Sequence, residues 1–181
     1  MSDPSQQLVD DLAGCARGEH RALSRLYHAS SARLYAQLLR IVREEAAAQD
    51  CLQQVYLRAW QSADRYDPER ARPMTWLSTL ARNVGIDWLR RRRPEGDEEA
   101  VESLDGGRRP EEASDTLERS QALHDCLAIL GQDQRQAMEM AYFQGLTHGE
   151  LAARVDQPLG TVKSWIRRGL ERLKSCLTNG I

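Results

Sequence analysis

Apolar positions along this chain recur at steps of three and four, the period of an α-helix, wherever a pattern can be read. The spacing predicts a first helix over residues 5–17, with Leu8, Leu12 and Cys15 or Ala16 inward and Gly18 ending it. A second runs from about His20 to Val42 on Leu23, Leu26, Tyr27, Leu34, Leu38 and Ile41. A third covers about Glu45 to Ser62, with Ala48, Leu52, Val55, Tyr56, Ala59 and Trp60 inward and Asp50, Gln53, Gln54 and Arg58 on the polar side. Residues 63–73, ADRYDPERARP, hold prolines among charges and read as a loop. A fourth helix follows from Met74 to about Arg92, with Trp76, Leu77, Leu80, Ala81, Val84 and Leu89 buried. Gly85 is a weak point inside it, costing about 1 kcal/mol against alanine.

The period stops between Pro94 and Asp115. That stretch, PEGDEEAVESLDGGRRPEEASD, is acidic, contains Gly106–Gly107 and has few large apolar residues, so it reads as a flexible linker. Helical spacing resumes at Thr116 with Leu117, Ala122, Leu123, Cys126, Leu127 and Leu130, and Gly131 closes that helix. Asp133 is placed as the cap of the next, with Ala137, Met138, Ala141, Tyr142 and Phe143 inward and Gly145 at its end. The expectation is an all-α protein of two small helical domains: residues 1–93, an acidic linker over 94–115, and residues 116–181.

The stretch GLTHGELAARVDQPLGTVKSWIRRGLERLK, from Gly145 to Lys174, adds chemistry to the pattern. Thr147 followed by Glu150 has the capping-box spacing. Asp156 and Gln157 make a turn, and Pro158 suits the first position of a new helix. Leu159, Val162, Ile166, Leu170 and Leu173 line one side of that helix; Thr161, Lys163, Ser164, Arg167, Arg168 and Arg172 line the other. A short helix, a tight turn and a helix with one apolar and one cationic, hydroxyl-bearing side form a helix–turn–helix suited to the DNA major groove. The Arg90–Arg93 run ending the fourth helix, with Trp76 and Trp88 nearby, is dense enough to contact phosphates.

Composition narrows the class further. The net charge is −2, so cations are concentrated locally and the chain as a whole is not a basic coat. Four cysteines lie far apart with no CxxC pair, which suggests no disulfide framework and fits a reducing cytoplasm. The histidines do not cluster with them, so no metal is expected. No Gly-rich phosphate loop or nucleophile–base motif occurs, and neither catalysis, a cofactor nor a small-molecule substrate is expected. The N-terminus has no signal-peptide pattern, and no apolar run approaches the ~20 residues of a membrane helix.

Four stretches, in order, resemble the extracytoplasmic-function (ECF) sigma factors, small bacterial relatives of sigma-70. QDCLQQVYLRAW (49–60) resembles the sigma domain 2 helix that docks on the β′ subunit of RNA polymerase. MTWLSTLARNVGIDWLRRRR (74–93) resembles the helix that melts and reads the minus-ten element. LGQDQRQAMEMAYFQGLTHGELA (130–152) and QPLGTVKSWIRRGLERLK (157–174) resemble sigma domain 4, which reads the minus-thirty-five element.

The resemblance implies roles for particular residues. Asp50, Gln53, Gln54 and Val55 would contact polymerase core, whose β′ and β subunits are the implied partners. Tyr66 to Pro73, including Arg72, would cup a flipped minus-ten base, with Trp76, Arg82, Asn83, Asp87, Arg90 and Arg91 near the melted strand. The stretch from Pro158 to Thr161, with Gly160 in it, would set backbone N–H groups against phosphate. Lys163, Ser164, Trp165, Arg167 and Arg168 would face the minus-thirty-five groove. Promoter DNA is then a partner, as is an anti-sigma factor, often membrane-anchored in the family. Tyr66 stands where phenylalanine is frequent, Leu130–Gly131 replaces a frequent Leu–Pro pair, and Trp165 replaces a common basic residue. An indole cannot make the bidentate guanine contact of arginine. The alternative reading is a stand-alone helix–turn–helix regulator, which would favour palindromic duplex sites without polymerase.

Overall fold

The structure, a computed structural model, describes residues 3–92 and 116–179, with side chains throughout except at 116–120. The chain divides into two compact units, and no strand occurs among the described residues. The expected linker over 94–115 lies outside the described residues, as does Arg93.

The first unit holds α1 (Pro4–Ala16), α2 (His20–Val42), α3 (Glu45–Ser62), a 3-10 turn (Ala63–Arg65) and α4 (Pro73–Arg92). Asp3 caps α1 by accepting the Ser5 N–H at 3.1 Å, and Pro4 occupies the first turn, where no N–H is needed. The long α2 is the centre: α1, α3 and α4 all pack on it. Leu12, Leu26, Leu34, Leu38, Val55 and Leu77 are fully buried there. Burying each of these side chains stabilises the unit by roughly 1.5–3 kcal/mol.

Two polar groups enter this core. Ser30 donates to the Leu26 carbonyl at 2.5 Å and lies 2.6 Å from the Tyr56 hydroxyl. The serine has one proton, so tyrosine is the donor between them. Burial pushes the Tyr56 phenol up to about 12, so it stays protonated and able to donate. Asp11, almost fully buried, accepts Arg25 Nε at 2.7 Å and ties α1 to α2.

Gly85, the expected weak point, lies against Ile41 and Leu38 of α2. A Cβ there would lie 3.0 Å from Ile41 Cγ2 and 3.3 Å from Leu38 Cδ2. Trp60, expected in the core, is only half-buried and stacks on His20 with ring centroids 5.1 Å apart. Tyr27, also expected inward, is 42% exposed.

The second unit holds α5 (Thr116–Ala128), α6 (Gln132–Phe143), α7 (His148–Val155) and α8 (Leu159–Asn179). Here α8 is the centre, with α5, α6 and α7 packed on it. Ala137, Leu151, Val162 and Ile166 form the buried cluster. The inward line of α8 is Val162, Ile166, Gly169 and Cys176, whereas Leu159 and Leu170 are each 42% exposed, contrary to expectation. Gly169 receives Met138 from α6, whose sulfur lies 2.5 Å from where a Cβ would stand. Tyr142 also faces out. Asp133 does not cap α6: the cap position is Gly131, with no side-chain hydrogen bond, and Asp133 sits in the first turn, where its charge suits the helix dipole.

The cysteines depart most from expectation. Cys126 on α5 and Cys176 on α8 form a disulfide, with Cα atoms 5.8 Å apart and 50 residues between them in sequence. Cys15 and Cys51 are free and buried. Desolvation, with Asp11 beside Cys15 and Asp50 beside Cys51, pushes both thiols up and keeps them protonated.

Two measurements check this packing. A Cβ on Gly14 would lie 2.6 Å from the Ala22 Cβ, an overlap relieved only by separating α1 from α2. Overpacking outweighs the gain in helix propensity, so Gly14→Ala should lower stability by about 1–2 kcal/mol in urea unfolding. An unchanged or raised midpoint would show that α1 is held loosely. Reducing the Cys126–Cys176 bridge should cost the second unit up to about 4 kcal/mol by the chain-entropy estimate for a loop of this length. Thermal melts with and without a thiol reductant should therefore move the transition of the second unit and leave that of the first in place.

Candidate nucleic-acid interface

Local sequence sets the geometry of α7, the turn and α8. Thr147 Oγ1 accepts the Glu150 N–H at 3.1 Å, so the predicted cap at the start of α7 forms. Asp156 ends α7 in the left-handed conformation, at φ 52° and ψ 52°, which aspartate tolerates better than most residues. Gln157 N–H returns to the Ala152 carbonyl at 3.0 Å. Pro158 stands one residue before α8 rather than at its first position; its carbonyl accepts the N–H groups of Thr161 (3.0 Å) and Val162 (3.2 Å). Thr161 N–H is thus already engaged, and the first-turn donors are those of Leu159 and Gly160.

With Val162 and Ile166 buried against α6 and α7, the helical period puts Gly160, Lys163, Ser164, Arg167 and Arg168 along the outer side of α8. Gly160, Lys163, Arg167 and Arg168 are exposed, and Thr161 and Ser164 are half-buried. Arg167 has Glu171 one turn on at 4.0 Å, and both side chains are more than two-thirds exposed (74% and 68%). Such a pair leaves the guanidinium available. Arg172 reaches Gln134 at 3.5 Å. Trp165 is half-buried and packs against the Ala137–Leu151–Val162–Ile166 cluster at the edge of the outer stripe.

In the first unit the corresponding surface is α4 with the loop before it. Tyr66 is half-buried, its ring 5.4 Å from that of Trp76 and its hydroxyl donating to the Ala71 carbonyl at 3.0 Å. Arg72 gives its carbonyl to the Trp76 N–H at 3.0 Å as α4 begins. Along α4, Asn83 and Arg91 are exposed and Arg82 and Arg90 are half-buried. Asp87 is engaged by Arg58 of α3, both terminal nitrogens lying 3.2 Å from one carboxylate oxygen. Arg92 lies 4.2 Å over the Trp88 ring and 3.0 Å from Glu44.

The α3 side is divided. Asp50, Gln53 and Gln54 are exposed, but Val55 is fully buried, so it holds α3 in place and offers no surface to a partner. Gln53 borders an open apolar groove of about 400 Å³ with His20, Leu23, Tyr27, Tyr56, Leu57 and Trp60. Sequence reasoning missed this groove. Its signal was present in Leu57, an apolar residue outside the inward set and 48% exposed, directly between the two aromatics of α3. Among the described residues no cluster of histidine, cysteine or acidic side chains is placed to hold a metal, and no helix is long and apolar enough to cross a membrane.

Comparison with known proteins agrees with this layout. The family profile for sigma-70 region 2 matches residues 26–95, and that for sigma-70 region 4 matches residues 120–173. The ECF RNA polymerase sigma factor SigK of Mycobacterium sp. (strain KMS) is 32% identical over 160 residues, covering 86% of this chain and 83% of its own. The ECF RNA polymerase sigma factor RpoE of Cereibacter sphaeroides is 39% identical over 127 residues, 70% of each chain. Among solved structures, Rhodobacter sphaeroides SigE in complex with the anti-sigma ChrR aligns with 94% of this chain and 99% of that chain at 32% identity, with a TM-score of 0.49. Both sigma-70 regions are present in order, the outer stripe of α8 and the α4 surface fall within them, and relatives match over most of their length: the chain belongs to the extracytoplasmic-function branch of the sigma-70 family and is an alternative sigma factor.

Proposed function

We propose that the two units divide one promoter between them while RNA polymerase does the chemistry. In this reading residues 1–93 act as sigma domain 2, residues 94–115 as a tether, and residues 116–181 as sigma domain 4. The exposed part of α3, Asp50, Gln53 and Gln54, together with the groove beside Gln53, meets the β′ subunit of the core enzyme. The loop over 66–72 and the polar side of α4 hold the separated minus-ten strand. There, cations offset the exposed backbone and aromatics give an unstacked base something to lie on. The outer side of α8 enters the minus-thirty-five groove, with Lys163, Arg167 and Arg168 at the bases or the phosphate walls.

The observation that carries this reading is the two-sidedness of α8: Val162 and Ile166 are locked inward, so Lys163 and Arg167 project outward with little competition. Each promoter contact is modest alone. Joining two modules on one chain raises the effective concentration of the second once the first is bound. Family membership also supports control by an anti-sigma protein that covers one or both units until released. The chain would act in the cytoplasm, where polymerase and promoter are.

Purified chain added to core polymerase should yield specific initiation from a promoter selected out of genomic DNA, with much weaker duplex binding when core is omitted. Failure to bind core would overturn the proposal, and tight palindromic binding without core would favour a stand-alone regulator. Within an active holoenzyme, Arg167→Ala should weaken discrimination at the minus-thirty-five element by about 1–3 kcal/mol if the guanidinium reads a base edge. A uniform loss across all sequences would reassign it to phosphate.

A further inference from the structure

The loop between the 3-10 turn and α4 is short, largely exposed and closed by its own residues. Asp67 does most of the closing. Its side-chain Oδ1 accepts the Glu69 N–H at 2.9 Å, and its carbonyl accepts the N–H groups of Arg70 (3.1 Å) and Ala71 (3.2 Å). Aspartate is suited to this because its carboxylate reaches the backbone two residues on. From the other side, the Tyr66 hydroxyl donates to the Ala71 carbonyl at 3.0 Å, while its ring lies on Trp76 at the start of α4. Both backbone polar groups of Ala71 are therefore held, its N–H by the Asp67 carbonyl and its C=O by the Tyr66 hydroxyl. The chain between them, Pro68 to Arg70, is left at the exposed rim.

We propose that Asp67 and the Tyr66 hydroxyl are positioning residues for minus-ten recognition. They fix the shape of the 67–72 rim in the free chain, so base preference at one promoter position is set before DNA arrives. This rests on the reading of that loop as the minus-ten base contact. Tyr66 then acts through the loop by its hydroxyl, which is turned to the Ala71 carbonyl. The hydroxyl that distinguishes it from phenylalanine has a defined use, the Ala71 carbonyl.

The test uses full-length chain assembled with core polymerase and a pool of fork-junction DNA randomised through the minus-ten region behind a fixed, selected minus-thirty-five element. Base preference is read by sequencing the retained DNA. Wild-type holoenzyme should favour particular bases. Tyr66→Phe and Asp67→Ala should each lower the preference at one minus-ten position by about three- to tenfold, the range expected for losing one hydrogen bond. The other positions and the affinity for core should hold, and Asp67→Asn, which keeps the side-chain acceptor, should restore the wild-type profile. Melting temperatures of the variants separate unfolding from altered preference. A wild-type profile with no minus-ten preference would remove the underlying reading and this inference with it. A wild-type preference that survives unchanged in Tyr66→Phe and Asp67→Ala, or falls evenly at every position, would overturn the inference alone.

Discussion

The packing of Val162 and Ile166 against Leu151 and Ala137 determines what α8 can do. A helix of this composition could lie on a neighbour in several rotations if its apolar edge were broad. Here the edge is narrow. Gly169 admits the Met138 side chain, Leu170 beside it is left outside, and Cys176 is bonded to Cys126 one helix away. Each of these fixes the rotation of α8 about its own axis. Once that rotation is fixed, the helical period places Lys163, Ser164 and Arg167 on the far side without any further interaction. The turn before it adds the second constraint. Asp156 in the left-handed region and the Pro158 carbonyl bonded into the first turn fix where α8 starts, and so how far its outer stripe lies from α7.

In the first unit the same result is reached by different means. The α2 helix is surrounded, and its neighbours are drawn close by small residues: Gly14 against Ala22, and Gly85 against Ile41 and Leu38. Gly85 would be costly in an isolated helix. In this position the missing side chain lets the α4 backbone approach α2, which sets the tilt of the α4 surface carrying Asn83 and Arg91. The end of α4 is anchored as well, with Arg92 lying over Trp88 and paired to Glu44 just before α3. The arginine run therefore includes at least one member with a structural role.

Helix existence and order were legible because the apolar period is strong and the breakers are unambiguous: Gly18, the prolines around 68–73 and Gly145. The Thr147 cap was legible for the same local reason. What failed was the rank of positions within a stripe. Leu170 and Tyr142 fit the period but lie at its edge, where only the neighbouring helix decides between inside and outside. Val55 took a contact role from the resemblance although the helical period already placed it inward, and it lies in the core. The disulfide was not legible, since cysteine is also an ordinary small core residue. Cys126 and Cys176 are far apart in sequence, and only the packing of α5 on α8 brings their Cα atoms to 5.8 Å, within bonding range. The role of Asp67 was hidden for a similar reason: a charged residue before a proline reads as generic loop, and its hydrogen bonds appear only once the loop is closed.

The two cationic surfaces also differ in how their charge is held, and this bears on the proposed contacts with nucleic acid. On α8 the nearest acid to Arg167 is 4.0 Å away and mostly exposed, so a phosphate can take the guanidinium without displacing an established partner. At α4 two pairs are already formed, Asp87 with Arg58 of α3 and Arg92 with Glu44. These pairs are all more than a third exposed, and such pairs contribute about 0–1 kcal/mol each. They orient side chains more than they stabilise the fold. Under the proposed division of the promoter, a duplex meeting α8 would find charge ready to use. A strand reaching Arg58 or Arg92 would exchange one weak ion pair for a phosphate contact and free Asp87 or Glu44 to repel the backbone nearby. Under that proposal, contact there would depend more on where the strand lies than on how much charge it carries.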